Sequence, residues 1–118
     1  MACEPTPQPA CVATINVNFD SLHTNLFAQR CGTNGAGCHG ANATQGNLVL
    51  TNPDAAYAAL LGMDGTRSRV SAGDPTCSLL MQRLETDDAL LRMPRGEGKL
   101  AEGLRCAVRQ WIEEGAAR

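Results

Sequence analysis

Apolar residues recur every three or four positions in four stretches of the chain, which is the spacing of one face of an α-helix. The clearest stretch runs from about Leu100 to Glu114, and Gly115 directly after it predicts the end of the helix. Its apolar side consists of Leu100, Leu104, Ala107, Val108, Trp111 and Ile112. Strands would show strict alternation instead, and no alternation of useful length is present. The pattern predicts an all-α fold whose last helix is strongly amphipathic.

The first and second predicted helices are bounded by residues that begin and end helices. The first runs from about Asp20 to Arg30, with Asp20 as its N-terminal cap. Its inward face consists of Leu22, Leu26, Phe27 and Arg30. The second runs from Pro53 to about Leu61, between Asn52 as its cap and Gly62 as its stop. The second helix is therefore predicted at both of its ends.

The third predicted helix spans about residues 75–85, with Asp74 as its cap and Pro75 as its first residue. Its apolar stripe consists of Cys77, Leu80, Met81 and Leu84. Residues 32–46 contain five glycines, and residues 86–98 are interrupted by proline and glycine, so both stretches are predicted to be loops. Between them, residues 48–50 are expected to pack a turn against the core.

The length and the aromatic content bound the architecture. The chain has 118 residues, which is enough for one domain with one core. Residues 1–17 begin with a proline-rich run and are predicted to form an extended tail, and residues 18–118 are predicted to form the domain. Aromatic residues make up only 3% of the chain. Either a buried cofactor or a core rich in Ala and Leu must therefore occupy the space that aromatic rings usually fill.

Charge and cysteine content narrow the class of function. The net charge is −2 and the charges are interspersed, which excludes a basic nucleic-acid face and a polybasic membrane segment. No apolar run approaches the length of a membrane span or has the form of an export signal, and we expect an original signal to have been removed. Six cysteines in a short chain indicate an oxidising compartment, in the periplasm or beyond it.

The segment from Cys31 to Gly40 is the main candidate for chemistry, because His39 directly follows Cys38 there. Two thiols and an adjacent imidazole are the groups that attach haem covalently and ligate its iron. The usual motif has two residues between the thiols, whereas six separate Cys31 from Cys38. The alternatives are a disulfide between these two cysteines with His39 solvated, and a zinc site, for which no paired ligands are present elsewhere.

The order of these features resembles that of class I c-type cytochromes from about Phe19 to Ala116. The matching motifs are Cys38-His39-Gly40, Gly73-Asp74-Pro75 before Ser78-Leu79-Leu80, Met93-Pro94 with Gly96, and Trp111-Ile112 with Gly115-Ala116. The resemblance implies a cytochrome c-like domain of about four helices, with long Gly- and Pro-rich loops around one covalent haem c. It also implies that the last helix crosses the first, so that Leu22 and Leu26 meet Val108 and Trp111.

The resemblance also implies roles for individual residues. Cys31 and Cys38 would attach the haem, and His39 and Met93 would ligate the iron on its two faces. Pro94 restricts the backbone of Met93 to an extended form, although a Met that fills a gap under the loop is the alternative. For Cys31 two outcomes are open: two thioethers with a bulged Gly-rich loop, which we favour, or one thioether from Cys38 alone.

Three other residues compete as ligands of the iron. Met81 lies on the apolar stripe of the third predicted helix and is expected to pack in the core. Met63 lies in a turn, where nothing further supports it as a ligand. His23 lies among polar residues of the first predicted helix and is expected at the surface.

The function implied by the resemblance is electron transfer outside the cytoplasm, without enzymatic activity, because filled axial positions leave no place for a substrate on the iron. The partner would be a redox protein that docks transiently, and the chain would be a monomer or a domain of a larger protein. The rivals are a haemless interaction module stapled by disulfides and a small peroxidase with a displaceable Met93. Of the remaining cysteines, the resemblance favours a Cys77–Cys106 disulfide. Cys106 points away from the apolar stripe of its helix, however, and a cysteine of the tail is its alternative partner.

Overall fold

The structure, a computed structural model, describes residues 10–31, 39–40, 43–44, 50–63, 65, 68–88, 90–93 and 98–118. Its helices are α1 (Phe19–Leu22), which continues as a π-helix (His23–Cys31), α2 (Pro53–Leu61), a 3₁₀-helix (Pro75–Cys77), α3 (Leu79–Glu85) and α4 (Glu102–Glu113). A short antiparallel ladder joins β1 (His39–Gly40) to β2 (Ala43–Thr44). The predicted all-α, cytochrome c-like fold is confirmed, and this ladder adds a small strand pair to a stretch that was predicted to be loop throughout.

The second helix has the two ends that the sequence predicts. The side chain of Asn52 accepts a hydrogen bond from the backbone N–H of Ala55, and Pro53 occupies the first turn, where its missing N–H leaves no bond unmade. Gly62 ends α2 in the left-handed conformation, at a φ of 74°. These signals are local, which is why they suffice to place α2.

The first helix covers the predicted span but differs from the prediction in its cap and its hydrogen bonding. Asn18, and not Asp20, caps α1, because the Asn18 side chain accepts a hydrogen bond from the N–H of Ser21. From His23 to Cys31 the helix is a π-helix, in which residues five apart become neighbours along the axis. Leu22 and Phe27 have this spacing, and both are buried. The side chain of Arg30 lies outside the described residues.

The third predicted helix is divided at Ser78, which is buried and extended (φ −88°, ψ 124°). Its hydroxyl lies 2.8 Å from the backbone nitrogen of Ser71 and 3.0 Å from the carbonyl oxygen of Asp74. Because the hydroxyl binds the preceding turn, it does not cap α3, and the chain changes direction between the 3₁₀-helix and α3. Local helix propensity predicts one continuous helix here, because the break depends on contacts across the turn that the local sequence does not show.

One continuous core contains residues of α1, the π-helix, α2, α3 and α4. Leu22, Leu26, Val108 and Trp111 all belong to this core, and α1 packs against α4, as the resemblance implies. All four aromatic side chains of the chain form one aromatic cluster: Phe19, Phe27, Tyr57 and Trp111. The apolar stripe predicted for the last helix is confirmed. None of the helices in the described part of the chain has the length and apolar character needed to cross a bilayer.

Residues 10–18, the N-terminal segment, pack along α4. Cys11 forms a disulfide with Cys106, which is fully buried, and the N–H of Thr14 donates to the carbonyl oxygen of Gly103. A side chain at position 103 would collide with Thr14, so glycine is needed at this contact. The favoured Cys77–Cys106 pairing is therefore wrong, and the alternative partner from the N-terminal tail is confirmed. Cys106 faces away from the apolar stripe of α4, and it is buried there because the N-terminal segment covers it.

Candidate functional site

The helix that leads into the candidate haem-attachment segment is the π-helix, which ends at Cys31. Long π-helices are rare, and short π-type turns concentrate at functional sites. The side chain of Cys31 and the whole of Cys38 lie outside the described residues. The structure therefore describes the approach to the first cysteine and not the two thiols themselves.

His39 directly follows Cys38, and its backbone belongs to β1. It is paired with Thr44 in the antiparallel ladder, and Gly40 is paired with Ala43. A ladder fixes the backbone direction of both of its strands through main-chain hydrogen bonds. The backbone that carries the candidate proximal ligand is thus part of regular structure, while the side chain of His39 lies outside the described residues.

His23 is buried, with only 8% of its surface exposed, so the prediction of a surface position was wrong. Its Nε2 atom lies 3.0 Å from the carbonyl oxygen of Leu50, which is itself 2% exposed. A carbonyl oxygen accepts hydrogen bonds only, so Nε2 must carry a proton. The spacing could have revealed this position, because His23 lies four residues from both Phe19 and Phe27 on the inward side of the helix.

Met93, the candidate distal ligand, follows α3 in a non-helical stretch. Its backbone N–H donates to the carbonyl oxygen of Arg83 at 2.8 Å. Arg83 lies in the last turn of α3, where carbonyl groups have no partner within the helix. Met93 thus satisfies an end of α3 and is held beside it, and its half-buried side chain packs against the core. Pro94 lies outside the described residues.

The other described methionines differ from Met93 in burial. Met81 is 3% exposed and belongs to the core, which confirms its predicted packing role. Met63 is 70% exposed just after α2, so most of the residue is in contact with solvent. Of the described methionines, Met93 is the one that is half-buried and carried by a loop.

The surface beside Met93 exposes two large apolar side chains. Leu90 and Leu91, which are adjacent in the sequence, are 74% and 45% exposed. A pocket of about 300 Å³ lies next to them, lined by Leu79, Gln82, Arg83, Thr86 and Leu91. Nearby, the exposed carboxylate of Asp87 binds the Lys99 ammonium at 2.8 Å, and this hydrogen bond lowers the pKa of Asp87. The Met93 side of the molecule therefore combines exposed leucines with charges of both signs.

The donor set of the candidate residues is that of a haem c site: two thiols, an imidazole next to one of them, and a thioether on a separate loop. The described backbone agrees with this chemistry, since His39 and Met93 lie on different elements and the Met93 side chain is partly withdrawn from solvent. Cys31, Cys38, His39 and Met93 are thus residues that fit a covalent haem.

The comparisons with known proteins bear on the same stretch of chain. No match to the chain was found among the curated proteins or among the solved structures. A family model described as Planctomycete cytochrome C matches residues 36–97, just over half of the chain. The matched range contains Cys38, His39 and Met93, and begins after Cys31. By this match the chain belongs to the planctomycete cytochrome C family.

Proposed function

We propose that this protein is a monohaem c-type cytochrome that carries one electron in the periplasm or another extracytoplasmic compartment. The observation that carries the proposal is the family match, which spans the Cys-His pair and Met93. The family implies covalently bound haem and electron transfer in general. The cysteine content supports an oxidising compartment, because Cys11 and Cys106 form a disulfide and Cys77 is also disulfide-bonded.

The attachment that we propose uses the thiols of Cys31 and Cys38, with His39 as the proximal ligand. When bound, haem c supplies an iron that cycles between the ferric and ferrous states. The position where the usual motif has its first cysteine, three residues before Cys38, is Gly35 in this chain. Cys31 is therefore the remaining nearby thiol for a second thioether, and a single thioether from Cys38 is the alternative.

Met93 is the proposed distal ligand. Its main-chain bond to the end of α3 holds the loop, and its half-buried side chain offers a neutral sulfur. A His/Met pair favours a higher reduction potential than a His/His pair. Both axial positions are then filled by protein side chains, which supports the role of an electron carrier over that of an enzyme.

The proposed partner is a redox protein that docks briefly on the Met93 side. Exposed Leu90 and Leu91 offer a small apolar contact beside the proposed distal ligand. Transient electron-transfer contacts are small, so two exposed leucines with charges around them are of the appropriate scale.

The intact mass of protein exported from a host with haem-attachment machinery tests the proposal. We expect a red protein whose mass has increased by one haem and whose colour stays with the chain under acid-acetone extraction. Two thioethers would also leave Cys3, which lies outside the described residues, as the partner of Cys77, and peptide mapping would find that disulfide. A colourless protein with all six cysteines in disulfides would instead identify the haemless interaction module.

The two ligand assignments are tested separately. Cys31→Ala should keep the haem through Cys38 but shift the reduced α-band, because one vinyl group stays conjugated with the ring. Met93→Ala should abolish the weak sulfur-to-iron band at the red edge of the visible spectrum, lower the potential and admit imidazole to the iron. Met81→Leu is the matched control and should change none of these. Loss of the band in Met63→Ala instead would contradict the Met93 assignment.

A further inference from the structure

The hydrogen bond between His23 and Leu50 joins two parts of the chain that are 27 residues apart. His23 is the first residue of the π-helix, and the same helix ends at Cys31. Leu50 follows β2 and precedes α2. Cys38 and His39 lie between Cys31 and Leu50 in the sequence, so this bond connects the helix that ends at Cys31 to a residue that follows the attachment segment.

The hydrogen bond between His23 and Leu50 is surrounded by buried side chains, so it favours one position of the backbone at Leu50. The Phe19 ring lies 6.2 Å from the His23 ring, and the neighbouring Leu26 and Phe27 side chains are buried. The carbonyl group of Leu50 is in the buried part of the molecule, where an unpaired acceptor is strongly disfavoured. A displacement of the chain at Leu50 would break this bond and leave a buried acceptor without its partner.

We propose that His23 is a positioning residue for the haem-attachment segment. By donating its Nε2 proton to Leu50, it fixes the backbone that follows this segment against the helix that carries Cys31. The backbone of His39 lies within the segment that this bond closes, so its freedom is reduced before and after haem is attached. This role rests on the proposed function, because the bond can assist haem attachment only if the protein carries a covalent haem.

The test compares His23→Leu with His23→Gln in the full exported chain. Glutamine places an amide N–H as many bonds from the backbone as Nε2 of histidine, so it should restore the donor, whereas leucine cannot. Hydrogen exchange of peptides that cover residues 39–50 should be about tenfold faster in His23→Leu and near the wild-type rate in His23→Gln. The fraction of chains carrying haem, read from intact mass, should fall in the leucine variant and recover with glutamine.

Tyr57→Phe is the matched control, because it also deletes a donor to a main-chain carbonyl, that of Ala116 at 2.8 Å. Equal acceleration of residues 39–50 in Tyr57→Phe, or unchanged exchange in His23→Leu, would overturn the role of His23. If His23→Leu is not recovered as folded protein, His23→Asn replaces it, since its amide is too short to reach Leu50. The exchange comparison needs no bound haem, so a colourless wild-type protein would overturn the proposed function alone.

Discussion

The aromatic side of the molecule and the Met93 side are held together in different ways. On the aromatic side, the Phe19 ring lies between 5.2 and 6.1 Å from the rings of Tyr57, Trp111 and Phe27. On the Met93 side, main-chain hydrogen bonds join separate elements: the N–H of Leu80 donates to Arg69, and that of Met93 donates to Arg83. Apolar packing stabilises the folded state but is not directional, whereas a hydrogen bond fixes the relative positions of its donor and its acceptor.

Residues 116–118 at the C-terminal end of the chain reinforce the aromatic side. Tyr57 and Trp111 donate hydrogen bonds to the carbonyl oxygens of Ala116 and Ala117, each at 2.8 Å. The Arg118 guanidinium lies 5.1 Å from the centre of the Phe19 ring and pairs with carboxylates at the start of α1 and α2. We infer that the aromatic side contributes most of the free energy of unfolding. On the Met93 side, hydrogen-bond geometry determines the arrangement of the elements more than buried apolar area does.

The largest expected effect is that of Phe19→Ala. It removes the ring at the centre of the aromatic cluster and should destabilise the protein by about 3–5 kcal/mol, measured by denaturant unfolding. Phe19→Leu, which keeps most of the apolar volume, should lose markedly less. If Phe19→Ala lowers the free energy of unfolding by less than about 1 kcal/mol, the aromatic side does not contribute most of the stability.

Removing the Cys11–Cys106 disulfide should have the next largest effect. The double variant Cys11→Ala, Cys106→Ala frees a loop of 95 residues in the unfolded chain and should lose about 2–4 kcal/mol. Thermal unfolding without reductant measures the loss, and treating the variant with reductant controls for the disulfide at Cys77. An unchanged transition would show that the hydrogen bond from Thr14 and the packing of the N-terminal segment suffice to hold it on α4.

Ser78→Ala acts on the Met93 side, because it removes the hydroxyl that holds the turn before α3. It should lose about 1–3 kcal/mol, since it leaves main-chain groups of the turn without their hydroxyl partner. We also expect a weaker sulfur-to-iron band, because α3 carries the carbonyl that holds Met93. Ser68→Ala deletes a hydroxyl that donates to the carbonyl of Val70 at an exposed position, and it should leave the band intact. Equal bands in both variants would contradict the link from Ser78 to Met93.

The smallest expected effect is a pH dependence from Asp87. The hydrogen bond from Lys99 lowers the pKa of Asp87 in the folded state. A lowered carboxyl pKa contributes stability above the unfolded pKa and loses it as the pH falls through the folded pKa, below about pH 4. Asp87→Asn should flatten the acid limb of the stability curve slightly, compared with the exposed control Glu114→Gln. An unchanged acid limb would mean that the exposed pair is fully screened by solvent.

Features that depend on residues adjacent in the sequence were predictable. Features that depend on contacts between distant parts of the chain were not. Asn52, Pro53 and Gly62 predicted α2 at both ends, because caps and stops act within a few residues. The break at Ser78 and the Cys11–Cys106 disulfide depend on partners brought close only by folding. The spacing that places His23 inward was present in the sequence, but its polar neighbours favoured a surface position.

The candidate site divides in the same way. The Cys-His pair and Met93 can be recognised by residue type and order, and both fall within the range that matches the family. The hydrogen bond from Met93 to Arg83 could not be predicted, because it joins a loop to the end of a helix ten residues earlier. The roles of Cys31, Cys38, His39 and Met93 as ligands and anchors stay predictions.

The disulfide between Cys11 and Cys106 also determines what happens when the backbone is cut. Cys31, Cys38, His39 and Met93 all lie between its two ends in the sequence. A protease that cleaves once anywhere in this interval cannot release a fragment, because both pieces remain joined through sulfur. The nicked protein should run as one band on a non-reducing gel and as two after reduction, so that a single cut cannot separate the proposed haem anchors from the rest of the molecule.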